Sequence, residues 1–110
     1  MTKFKLAIPF ALALMMSVGT AAIAQDMGYE KDMMAAHKKM MDGMMAMKST
    51  GDADKDFAMM MIPHHQGAID MAEVELKYGK DPVMKKMAQE IIDAQKKEIE
   101  QFQKWQGEHH

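Results

Sequence analysis

The chain has 110 residues, with 14 Lys and no Arg against 16 acidic residues, 17 Met and no Cys. A chain of this length builds one small domain with limited burial. The lack of arginine and of any basic patch argues against nucleic acid as a partner, and the lack of cysteine excludes disulfides and thiolate metal sites.

The first 24 residues read as a secretory signal. Lys3 and Lys5 give a positive start, residues 6–18 an apolar run, and Ala22 and Ala24 a small-x-small pattern before a cut ahead of Gln25. The apolar run is too short for a comfortable membrane span. The expected organisation is a cleaved signal, 1–24, and a periplasmic or secreted mature domain, 25–110, without stable membrane insertion. The mature part would keep 14 of the methionines and carry four more acidic than basic residues. Cores use methionine sparingly, because its flexibility specifies packing poorly. The excess needs a reason.

The first helix of the mature domain is predicted over 29–48. Met33, His37, Met40, Met44 and Met47 follow a 4-3-4-3 spacing, a heptad-like seam, and Met34, Met41 and Met45 form a second row beside it. Gly43 weakens this helix by about 1 kcal/mol relative to alanine. Residues 49–54, STGDAD, read as a turn in which Gly51 suits a helix end and Asp54 or Asp56 the next N-cap.

The second helix is predicted over 55–78. At about 100° per residue, Phe57, Met61, Ala68, Met71 and Ala72 gather on one face. His64 and His65 flank that face, and Pro63 should kink the helix just before them. Gly79, Asp81 and Pro82 then supply a stop, an N-cap and an N1 proline. The third helix, 82–105, carries Met84, Met87, Ala88, Ile91, Ile92, Ile99, Phe102 and Trp105 on its apolar side. Asp93 with Lys97 and Glu100 with Lys104 are expected as i,i+4 pairs on its wet side. The GEHH tail reads as frayed, with His109 and His110 as weak ligands at most. Short connections predict an all-α fold, a small up-down bundle of three main helices.

Two constellations bear on chemistry. Met33, His37, Met40, Met41, Met44 and Met45 lie on adjoining rows of the first helix. Thioether sulfur is a soft ligand that suits Cu(I) and Ag(I), and imidazole suits both oxidation states of copper. Met61, His64, His65 and Met71 form the second group, whose two imidazoles extend its reach to Cu(II). The paired histidines point about 100° apart on a regular helix. Either each takes its own ion, or the kink unites them, or one faces another helix. The plain alternative is a Met-rich interaction or chaperone module with a plastic hydrophobic face and no specific metal. A third reading is an oxidant sink, since methionine sulfoxide is reversible. No enzyme activity is expected: there is no Glu-x-x-His for a di-iron bundle, no His-Glu-x-x-His, and only Ser49 remains after the signal for a serine triad.

Residues 54–105 resemble the CopM-like copper-binding family, long catalogued only as a domain of unknown function. Met61, His64, His65, Ala68 and Met71 match its paired-histidine motif, and Ala88, Ile91 and Gln95 match its downstream helix. The resemblance implies a ferritin-like helical bundle and an exported protein that binds copper and aids copper resistance. The expected cargo is Cu(I) or Cu(II), with silver as a soft substitute. Histidine ligation should weaken in acid, because imidazole must be neutral to bind. Methionine stripes leave more apolar edge than three helices hide, so a homo-oligomer is expected, together with a copper-handling partner protein.

Overall fold

A computed structural model of the chain describes the backbone of residues 10–110 and the side chains of residues 21–110. Three helices account for nearly all of it: α1 Phe10–Met45, α2 Ala53–Tyr78 and α3 Pro82–Glu108. There is no strand among the described residues, and the fold is the expected small all-α, up-down bundle. Lys3, Lys5 and residues 6–9 of the expected signal lie outside the described residues. Its remainder runs into α1 as one continuous helix, through the expected cut between Ala24 and Gln25. No helix of the described residues is long and apolar enough to cross a membrane.

The helix ends follow from local hydrogen bonding. α1 stops at Met45, short of the predicted end at 48. The Asp56 carboxylate gathers the Ser49 hydroxyl at 2.8 Å, the Thr50 N–H at 2.8 Å and the Thr50 hydroxyl at 2.7 Å, which pins residues 49 and 50 in a loop. These donors, the Thr50 hydroxyl first, hold the Asp56 carboxyl below its ordinary pKa. Gly51 turns the chain with a φ of 84°, a region that favours glycine. The N-cap of α2 is Asp52, not Asp54 or Asp56: its Oδ1 accepts the N–H groups of Asp54 and Lys55 at 3.0 and 3.1 Å. Asp81 caps α3 as predicted, accepting from Val83 and Met84 at 2.9 and 3.0 Å, with Pro82 as its first residue. α3 extends to Glu108, beyond the predicted 105, so the first two residues of the GEHH tail are helical rather than frayed.

Among the described residues, α1 and α3 each pack against α2 and not against each other. The result is a layer about 26 Å wide and 15 Å deep. α2 therefore has two inner stripes instead of the single face expected. Ala58, His65, Ile69 and Ala72 are buried on one side, where Ile69 and Ala72 meet Ala88 and Ile92 of α3, flanked by Leu76 and Ile99. Gly67 and Val74 are buried roughly 180° away on the helical wheel, toward α1. Phe57, placed on the inner face by the periodicity, is 58 % exposed. Met84, Met87 and Ile91 of α3 are also exposed, because α3 has only one neighbour. The expected ion pairs of α3 are replaced: Asp93 accepts from Gln89 at 3.1 Å, and Lys86 lies 3.8 Å from Glu90.

Close approaches set the register of α1 on α2. A Cβ on Gly43 would lie 3.2 Å from the Cβ of Pro63, and a Cβ on Gly67 would fall inside the Met40 side chain. Gly43, which the sequence marks as a weak point, is thus where α1 approaches the ring of Pro63. α2 continues through Pro63 as one helix. Farther along, Tyr29 and Tyr78 meet edge to face at 6.1 Å. The Asp32 carboxylate accepts from the Tyr78 hydroxyl at 2.7 Å and from Lys77 at 3.2 Å, and these donors, Tyr78 first, lower its pKa. Lys39 faces Asp70 at 3.7 Å.

Candidate metal centre

The register of α1 on α2 creates a cleft of about 600 Å³, lined by Met33, Met34, His37, Lys38 and Met41 of α1 and by Met71 of α2. Met33, His37 and Met41 share a helix face because they are spaced four apart. Met33 and Met71 are half-buried, while Met34, Met41 and His37 are open to solvent. The lining therefore offers four thioethers, one imidazole and no carboxylate. Its one ammonium, on Lys38, is bound by Asp42 at 2.5 Å. A donor set of this kind is soft.

The other sequence-selected methionines of α1 sit differently. Met40 lies in the notch above Gly67, so its side chain is engaged in packing. Met44 is half-buried and Met45 is 77 % exposed on the last turn, and neither lines the cleft. Met71, which the sequence groups with the histidine pair, lies instead against the residues of α1.

The paired histidines have separate surroundings. His64 is exposed and His65 is buried, with ring centroids 6.1 Å apart. Of the three arrangements the sequence left open, His65 adopts the one in which a histidine faces another helix. Its Nε2 is hydrogen-bonded to the Glu98 carboxylate, and its ring meets Phe102 edge to face at 5.4 Å. An ionised carboxylate only accepts, so Nε2 carries the proton. Nδ1 is buried with no partner. An imidazole oriented by a carboxylate on one nitrogen is a stronger donor through the other. Glu98 gave no signal in the sequence, being one of several acidic residues on a helix with a charged side. With Asp54, Phe57 and Phe102 it borders a recess of about 580 Å³ between α2 and α3. Met61, the remaining member of the second group, is half-buried.

Among the described residues, no three of His, Asp and Glu converge to hold a metal ion. In sequence, no curated protein matches the chain. Residues 12–106, which span the three helices almost end to end, match the family described as a domain of unknown function, DUF305, and the chain belongs to that family.

Proposed function

We propose that the chain is an exported, CopM-like copper-binding protein that sequesters or buffers Cu(I) and Cu(II), accepts Ag(I), and contributes to copper resistance. The observation that carries this reading is the α1–α2 cleft, where Met33, Met34, Met41 and Met71 surround His37 without a carboxylate. Thioethers and imidazole suit soft copper and offer little to calcium or magnesium. Outside the reducing cytosol, thioethers persist where thiols oxidise, which agrees with a chain that has many methionines and no cysteine. Loss of residues 1–24 would spare the cleft and the Tyr29, Asp32 and Tyr78 contacts beside it. His64 is the accessible imidazole of the second group and adds capacity for Cu(II), whereas the free nitrogen of His65 is buried.

Native mass spectrometry under Ag(I) titration tests the proposal. The parent should take up silver at a small whole-number ratio. A variant with Met33→Leu, Met34→Leu, Met41→Leu and Met71→Leu should take up at least one ion fewer. Equal uptake by the two proteins would overturn it.

A second reading has its own support. Val83, Met84, Met87 and Ile91 make an uncovered apolar stripe on α3, and Met34 and Met45 are more than 70 % exposed on α1. These surfaces suit a homo-oligomer, a copper-handling partner, or a Met-rich interaction module that needs no metal. Sedimentation that finds only monomer at every concentration would remove the homo-oligomer.

A further inference from the structure

The far end of α3 brings a second set of soft donors together. Met59 of α2 and His109 and His110 after α3 line one recess of about 210 Å³, along with Trp105, Gln106, Thr50 and Lys55. It is distinct from the α1–α2 cleft. Met59 and Met71 are twelve residues apart on one helix, roughly 18 Å at 1.5 Å per residue.

His109 is ordered by three interactions. Its backbone N–H donates to the Gln106 carbonyl at 3.3 Å, closing the end of α3. Its ring stacks on Trp105 with centroids 4.3 Å apart and planes 10° from parallel. Its Nδ1 lies 2.8 Å from the Trp105 carbonyl oxygen. A carbonyl only accepts, so Nδ1 carries the proton and Nε2 keeps its lone pair. A backbone carbonyl that fixes the tautomer in this way is the usual support of a metal-binding histidine.

We propose that Met59, His109 and His110 form a further copper site, one thioether and two imidazoles, covered on one side by the Trp105 ring. The inference shares the soft-metal chemistry of the proposed function but none of its residues. Two imidazoles admit Cu(II), and the thioether also suits Cu(I).

Trp105 is the one tryptophan of the chain, and its contact with His109 makes it a local reporter. The full chain would be titrated with Cu(II) and read by tryptophan fluorescence. Saturable quenching is expected at one equivalent. The double variant His109→Gln, His110→Gln should weaken it on the order of tenfold or more, and Met59→Leu should weaken binding of Cu(I) supplied in excess ascorbate. Both histidines are exposed, and unchanged circular dichroism would verify the fold. The four-leucine variant of the α1–α2 cleft should keep the quenching while losing its silver, so the two sites can fail separately. Absent or unsaturable quenching in the parent would overturn the proposal. So would quenching that survives in the double histidine variant, or quenching lost only with the cleft methionines.

Discussion

α2 meets its two neighbours through seams of different character. Toward α3 the contact is built from short aliphatic side chains: Ile69 and Ala72 against Ala88 and Ile92, all buried. Toward α1 it is built from two glycine notches, the ring of Pro63 and the Met40 side chain, with a cleft of half-buried and exposed methionines beside them. Isoleucine and alanine have few rotamers and close tightly, whereas methionine turns about three bonds and adapts to irregular space. The same central helix thus has one side that fixes the fold and one whose methionines can repack.

Mutations on the two seams should separate these roles. The largest effect is expected from Ile69→Ala or Ile92→Ala, about 2–4 kcal/mol of stability in urea unfolding. Met33→Leu or Met71→Leu should cost under about 1.5 kcal/mol. Comparable losses from both kinds of change would erase the distinction. Next comes Gly67→Ala. The new methyl would displace Met40, and overpacking of this kind costs about 1–3 kcal/mol, against a gain in helix propensity of at most about 1 kcal/mol. A net stabilisation would show that Met40 does not occupy that notch.

The smallest effect concerns the polar fringe of the α1 seam. Asp32 and Asp56 both have carboxyl pKa values below the ordinary value, through Tyr78 with Lys77 and through Thr50 with Ser49. For a depressed carboxyl, the stabilisation is fully present above the unfolded-state pKa of about 3.9 and is lost as pH falls through the folded value. Both groups are partly open to solvent, which screens the contribution. Asp32→Asn should therefore lower stability slightly at pH near 6, with the gap to the parent closing below about pH 4. A gap of the same size at both pH values would mean that the charge on Asp32 contributes nothing.

Local chemistry was well expressed in the sequence. Asp81 and Pro82 mark the start of α3, Gly79 the end of α2, and three helical periodicities give the fold class. What the sequence did not reveal depends on tertiary register. A helical wheel with one apolar face puts Phe57 inside and leaves Val74 out, whereas α2 buries residues on two opposite sides. Gly43 reads as a weak helix position until Pro63 is set against it, and Gly67 gives no signal at all until Met40 lies over it. Glu98 stands 33 residues from His65 and becomes its partner only through the α2–α3 packing. Met71 appeared to belong with the histidines two turns away, because its approach to Met33 and His37 has no expression in local spacing.

The central claim is that the α1–α2 cleft takes a soft metal through sulfur. Methyl-labelled methionine NMR tests it most directly, since each thioether methyl reports on its own sulfur. Addition of one equivalent of Ag(I) should shift the methyl signals of Met33, Met34, Met41 and Met71, together with the ring signals of His37. The signal of Met40, packed over Gly67, should move little. Silver that leaves all four cleft methyls in place, or that shifts Met40, Met44 and Met45 instead, would contradict the account.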